Sequence, residues 1–314
     1  MRDLFRVDDP KADLSYLHTR TPRHEGAERS RNNCDELWRQ FEPYAGEHFL
    51  AEFPYRFHQR WFEMYLAVAL LRAGLDIHCP DGGAPDVQVR RPGARTLWIE
   101  ATAPTGGDDS NPDRVGPIPL PEPGGPPVAG YVPTGRITMR VSGAFHEKSK
   151  QLKRYRESGV VGPEDETLIA INVALVPHGA YDAEEYGLAA IFGFGPRQAI
   201  INRETGAATD LGRAFRSELQ RNSGNAVDVA PFMHPGLSYV SAALISGADA
   251  ANCPALLGHD FVLFANPHGT PVYSQNQIPV GREWRYEIEG EGRDRLAEMV
   301  EHSKEAPKMR PRPQ

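Results

Sequence analysis

Apolar side chains recur every three or four positions between residues 56 and 73: Phe57, Trp61, Met64, Tyr65, Val68, Ala69 and Leu71. That period predicts a helix, and Gly74 stands where a helix end favours glycine. Residues 75–78 then read as a short strand. Residues 86–90 alternate apolar and polar, residues 91–95 (Arg-Pro-Gly-Ala-Arg) are turn chemistry, and residues 96–102 form a second extended run. Together they predict a hairpin. Residues 167–176 are nearly all apolar, which predicts a central strand covered on both faces. Further strands are expected at 238–245 and 261–265, the last ended by Asn266 and Pro267.

Elsewhere the pattern breaks. Residues 1–33 are polar and lack periodicity, so they read as a loose N-terminal arm, with a helix opening near Asn33 through Cys34, Asp35, Glu36, Leu37 and Trp38. Residues 103–135 hold nine prolines and seven glycines, too many for a packed element, and predict a long loop insertion. A basic helix is expected over 144–157, and a mobile, charged tail over 301–314. The order is helix, hairpin, loop, helix, buried strand, further strands. It predicts an α/β fold over 34–300, with a mixed central sheet flanked by helices.

The chain has 314 residues, 40% of them hydrophobic, ample for a buried core. It has no run of eighteen apolar residues, so no membrane-spanning helix and no membrane partner are expected. Charged residues crowd the N-terminus (Arg2, Asp3, Arg6, Asp8, Asp9), unlike a signal peptide. Three distant cysteines, Cys34, Cys79 and Cys253, suit a reducing cytoplasm and form no zinc spacing. The net charge of -7 excludes a generally basic nucleic-acid coat protein. Any nucleic-acid contact must come from a local patch.

One constellation carries chemistry. Pro85 and Asp86 are followed, after thirteen residues, by Glu100, Ala101 and Thr102 at a strand end. The preceding helix holds Glu63, and the following one holds Gln151 and Tyr155 at a four-residue step. This ordered set, within residues 56–176, resembles the PD-(D/E)xK (restriction-endonuclease-like) nuclease superfamily, as a divergent member. The resemblance implies Asp86 and Glu100 as ligands of Mg2+, with Mn2+ as a substitute. It also implies the Ala101 carbonyl as a further ligand and Glu63 as an additional acid. Two carboxylates on neighbouring strands can converge on one hard cation, which activates water and offsets phosphate charge.

The motif's lysine is missing, because its position holds Thr102. Lys148, Gln151 and Tyr155 share one helical stripe, so Lys148 is the expected replacement, with Gln151 beside it. Lys150, Lys153, Arg154, Tyr155 and Arg156 are expected to attract nucleic acid, DNA ahead of RNA, with a homodimer left open. The rival reading is a catalytically inactive nuclease fold acting as a binding or scaffold module, with Thr102 as its main support. Glu63 also has a plain reading, as half of a surface ion pair with Arg60 or Arg56. His146-Glu147 lacks a second metalloprotease histidine, Gly193-Phe-Gly195 lacks the third glycine of a nucleotide loop, and no nucleophile elbow is present.

Overall fold

The computed structural model describes residues 2–91, 93–119, 130–287 and 295–298. Its N-terminal part is helical: α1 (Leu14–Arg20), α2 (Glu25–Phe41), the single turn α3 (Phe49–Glu52) and α4 (Phe57–Arg72). Residues 2–33 therefore correct the expectation of a loose arm. Leu4, Phe5 and Tyr16 are buried, Phe5 stacks on Tyr16 at 5.3 Å, and both rings meet Phe53 and Phe57. The Asp13 carboxylate accepts from the Ser15 N–H to cap α1, one of the orphan donors of a helix start. These apolar residues are too scattered to show a period, so only their tertiary contacts reveal them. The second helix starts at Glu25, well before Asn33.

α4 is buried without a break from Trp61 to Leu70, because α1 and α2 cover one side and the sheet covers the other. It ends as predicted. Gly74 takes φ +79°, its N–H donates to the Leu71 carbonyl, and the Leu75 N–H donates to that of Leu70. This double bond closes the helix and needs the left-handed conformation that glycine reaches without strain.

The chain continues through β1 (Asp76–His78), β2 (Val87–Arg90) and β3 (Leu97–Thr102), α5 (Thr134–Glu157), β4 (Glu166–Asn172) and α6 (Ala183–Ile191). Then follow the hairpin β5 (Phe194–Ile201) and β6 (Ala208–Phe215), the small pair β7 (Glu218–Gln220) and β8 (Ala226–Asp228), then β9 (Ala242–Ser246), β10 (Val262–Ala265), β11 (Arg282–Glu287) and β12 (Arg295–Glu298). Eight strands form one mixed sheet in the order β1-β2-β3-β4-β9-β10-β11-β12. The β3–β4, β4–β9 and β10–β11 pairs are parallel, the others antiparallel. The expected mixed sheet flanked by helices is thus present.

Side-chain alternation assigns the two faces. Val87, Val89, Leu97, Ile99, Ala101, Leu168, Ala170 and Leu244 pack with α4. Ile169, Ile171, Ala243, Ile245 and Phe264 pack with α5 and α6. All seven residues of β4 are buried, as its apolar run requires. On α6, a Cβ at Gly187 would lie 2.4 Å from the Phe264 ring, so only glycine permits this helix-to-sheet approach.

α5 begins ten residues earlier than its basic stretch, at Thr134, with Pro133 as its N-cap. Its first half carries no basic run to mark it. The described part of the Pro/Gly loop is pinned rather than free, with Val115 buried and its N–H donating to the Gly106 carbonyl. Residues 120–129 of that loop and the tail 301–314 lie outside the described residues.

Candidate active site

The β2–β3 register pairs Val87 with Ile99. One residue further along, Asp86 stands opposite Glu100. Val87 and Ile99 face α4, so alternation turns Glu100 to the opposite face, where Lys148 meets it, while Asp86 precedes β2 and lines a cleft with Glu63 and Arg60 of α4. Asp86 sits at the strand end, where its Oδ2 accepts from the Ala101 N–H at 2.7 Å. Its carboxylate thereby takes the place of a ladder carbonyl that β2 no longer supplies.

Lys148 arrives from α5. Its Nζ donates to Glu100 Oε1 at 2.7 Å and to Gln151 Oε1 at 3.4 Å. The Gln151 amide donates to the Tyr155 hydroxyl at 2.8 Å. The stripe expected on this helix therefore forms one hydrogen-bonded chain ending on Glu100. Thr102, two residues beyond Glu100, shares its side of the strand by alternation.

Glu63 approaches from α4, near enough to Asp86 for the two charges to act on each other. It is buried, and Arg60 donates to its Oε2 and also to Glu52. The expected surface pair with Arg60 exists, but it is an interior one. Arg56 pairs instead with Glu52, at 3.6 Å. Gln59, one turn before Glu63, was not anticipated. Its Nε2 donates to Glu63 Oε1 at 2.8 Å and to the Ala101 carbonyl at 3.2 Å, and its Oε1 accepts from the Ala103 N–H at 2.8 Å. One amide thus fastens α4 to the end of β3. The Gln59–Glu63 four-residue step was the signal available in the sequence.

The other basic residues expected on this helix do not join this cluster. Lys150, Lys153 and Arg154 are exposed, and Lys153 lies 3.9 Å from Glu157. Tyr155 is half-buried and packs against the α5–α6 core. Arg156 corrects its expected role in nucleic-acid binding. Its guanidinium donates to the carbonyls of Gly162, Pro163 and Asp165, pinning the turn before β4.

Burying acids together has a cost that shows in their titration. Desolvation, and then the nearby Asp86 charge, push Glu63 up to about 7, against the opposing pull of Arg60 and Gln59. Glu100 is also pushed up to about 7, by burial and then by Asp86, against Lys148. Asp86 is raised by burial, opposed by the Ala101 N–H, Lys148 and Arg60. Burial works to lower the Lys148 ammonium, but Glu100, Asp86 and Glu63 outweigh it and raise it. Three carboxylates thus share two cations, one of which also serves Glu52. The surplus charge is negative.

That surplus is visible atom by atom, since Glu100 Oε2 is buried without a hydrogen-bond partner. A buried carboxylate oxygen left so is costly. A hard divalent cation would satisfy it, and Asp86, Glu100 and the Ala101 carbonyl are oxygen donors of the type Mg2+ takes. In chemistry and charge the residues fit such an ion. Among the described residues, however, no three His, Cys, Asp or Glu side chains are gathered in a metal-holding arrangement. Glu63 is turned to Arg60 and Glu100 to Lys148.

Glu63 and Asp86 also line a cleft of about 240 Å3, together with Tyr44, His48, Phe49, Cys79 and Asp81. The Cys79 thiol is pushed up to about 12 by burial and then by Asp86 and Glu63. It is protonated at neutral pH and therefore no nucleophile.

Among the described residues no helix is long and apolar enough to cross a membrane. Comparison of the chain with protein-family models, with curated proteins and with solved structures finds no match.

Proposed function

We propose that this chain is a metal-dependent phosphodiesterase, a nuclease acting on DNA ahead of RNA, on a restriction-endonuclease-like core. The observation that supports this reading most is the Lys148–Glu100 pair at 2.7 Å, with the second Glu100 oxygen buried and orphaned within the field of the Asp86 charge. A lysine supplied by the helix after the hairpin stands next to the strand carboxylate, where Thr102 offers no ammonium. Asp86 and Glu100, with the Ala101 carbonyl, would hold Mg2+ or Mn2+. The bound ion would supply Lewis acidity and a lowered pKa for water.

The chain's own groups have separable roles. Lys148 carries a fixed positive charge beside the acids, where it orients water and offsets charge growing on a phosphate. Gln151 accepts a second hydrogen bond from the Lys148 ammonium and helps to hold it. Glu63 tunes the charge of the cluster, and Gln59 holds Glu63 and the end of β3 in one register. Lys150, Lys153 and Arg154, exposed on the same helix, attract the nucleic-acid backbone.

Cleavage of plasmid and of single-stranded DNA in Mg2+ and in Mn2+ tests this. The expected result is cutting by the wild type that disappears in Asp86→Ala and Glu100→Ala. The rival, a fold that binds without catalysis, draws on Thr102 and on the lack of a gathered acidic triad among the described residues. It would be favoured by a wild type that cuts no substrate with either metal.

A further inference from the structure

α5 carries further cations on the N-terminal side of Lys148. Arg136, Arg140, Ala144 and Lys148 follow one another at four-residue steps, so they run along one flank of the helix. Arg140 stands eight residues before Lys148, about 12 Å along the axis. Among the described residues neither Arg136 nor Arg140 is ion-paired, although the chain carries a net charge of -7. Backbone atoms fix them instead. Arg140 Nε donates to the Thr105 carbonyl at 2.8 Å, and Arg136 Nη1 to the Arg114 carbonyl at 3.3 Å. Helix stability does not ask for Arg136, since a first turn favours acids and this one holds none.

The loop after β3 brings a neutral donor to the same place. A Cβ on Gly107 would lie 3.5 Å from Asn111 Nδ2, 3.6 Å from Arg140 Nη1 and 3.7 Å from Arg114 Cα. Two donor nitrogens thus border one small space beside a residue that has no side chain. The Asn111 Oδ1 is spent on the Asp113 N–H at 2.9 Å, so the amide presents its NH2 end to Gly107. Arg140 holds Thr105 through Nε, which leaves Nη1 on the Gly107 side. The acids of the loop are placed differently. Asp109 pairs with Arg114, the buried Asp113 accepts from the Asn222 N–H at 3.0 Å, and Asp108 is exposed to solvent. A guanidinium and an amide converging on bare glycine backbone form a donor set of the kind that grips phosphate.

Resting on the nuclease reading above, we propose that Arg140, Asn111 and Gly107, with Arg136 beside them, hold a backbone phosphate of the nucleic-acid strand whose scissile phosphate lies beside Lys148. At roughly 3.4 Å of duplex axis per nucleotide, the span of about 12 Å corresponds to phosphates about three or four nucleotides apart. Arg136 also lines an adjoining cleft of about 580 Å3, with Tyr131 and His178, which gives the rest of the strand room to pass.

The test is fluorescence anisotropy of a labelled DNA strand, single or annealed to its complement, across a salt series, with Ca2+ replacing Mg2+ to prevent cutting. Arg140→Gln removes the charge and keeps a donor for the Thr105 carbonyl. Asn111→Asp keeps the oxygen that serves Asp113 and puts a carboxylate oxygen where the amide donates. Gly107 stays as it is, because its φ of +102° would strain any side chain. Each variant should weaken binding about tenfold at low salt, the loss of one charge-assisted hydrogen bond, and should melt with the wild type. Arg140→Gln should also lower the slope of log K against log salt by about one. Arg39→Gln, at an exposed arginine of α2, should leave slope and affinity unchanged. Wild-type binding in both variants, an equal loss in Arg39→Gln, a loss that tracks a lowered Tm, or a wild type that binds inorganic phosphate but no strand would overturn the inference. Failure of the nuclease reading looks different. A wild type that binds strands through Arg140 and Asn111 but cuts nothing in Mg2+ or Mn2+ keeps this site and loses the catalysis. Asp86-dependent cutting by a protein whose strand binding ignores Arg140 and Asn111 does the reverse.

Discussion

Replacing Glu100 by Gln should stabilise the metal-free protein while abolishing its activity. The substitution keeps the shape of the side chain and an acceptor for Lys148, but removes one of the three buried carboxylates. What remains is Asp86 and Glu63 against Lys148 and an Arg60 that also serves Glu52, so the surplus negative charge falls by one. The magnitude follows from titration. Glu100 is raised from 4.5 to about 7 in the folded chain. At about 1.36 kcal/mol per pH unit, that displacement amounts to about 3 kcal/mol. The sign is fixed by proton linkage: between about pH 4.5 and 7 the folded state binds more protons than the unfolded state, so wild-type stability falls as pH rises through that window. Above pH 7 the whole cost is present, and below pH 4.5 it vanishes. Thermal unfolding in EDTA should therefore show Glu100→Gln melting above the wild type at pH 8, by on the order of 5 °C for a chain this long. At pH 5 the gap should shrink. Adding Mg2+ should raise the wild-type Tm by mass action and leave the variant unmoved. A variant that is less stable than wild type by the same margin at both pH values would refute the reasoning, since it would mean that Glu100 is a satisfied structural acid.

Lys148→Met removes the cation from the same pair and should do the opposite. At pH 8 it should cost about 2 kcal/mol, below the usual loss for a broken buried pair because the lysine is partly exposed, and the loss should shrink at pH 5, where Glu100 is protonated; urea unfolding at the two pH values reads it. Gln59→Leu cuts the link between α4 and β3 and leaves the Ala103 N–H unpaired, which should cost about 1–3 kcal/mol and lower kcat at least about tenfold with little change in KM, as steady-state kinetics would show. Replacing Lys150, Lys153 and Arg154 together by Ala should flatten the salt dependence of DNA binding. Arg156→Ala should lower Tm and leave that dependence unchanged, because Arg156 is spent on three backbone carbonyls.

The legible parts of the molecule were those with local periodicity. The stripe of α4, the alternation of β2, the extended run of β3 and the apolar run of β4 each state their burial in consecutive residues, and all four elements form there, with β4 ending at Asn172 instead of 176. Within the site, Asp86 and Glu100 were legible from their spacing across the hairpin, and Lys148 because it shares a helical stripe with Gln151. Gln59 had only its four-residue step to Glu63 to mark it, since a neutral amide carries no charge signal and its other partners, the Ala101 carbonyl and the Ala103 N–H, are backbone atoms far along the chain. The burial of Leu4, Phe5 and Tyr16 was hidden for a similar reason: isolated apolar residues acquire meaning only when Phe53 and Phe57 pack on them. The β5–β6 hairpin was hidden because β5 is mostly exposed and so lacks the apolar alternation that marks a half-buried strand.

Isothermal calorimetry of Mn2+ into metal-free protein, wild type beside Asp86→Ala, addresses the role of the acids most directly. The wild type should take up one ion, with affinity rising and proton release falling as pH climbs through about 7, where Glu63 and Glu100 lose their protons, as expected when ligands must ionise to bind. Asp86→Ala should show no such heat. Binding that is equal in the two proteins, or a wild type that takes up no divalent ion at any pH, would contradict the assignment of Asp86 and Glu100 as its ligands.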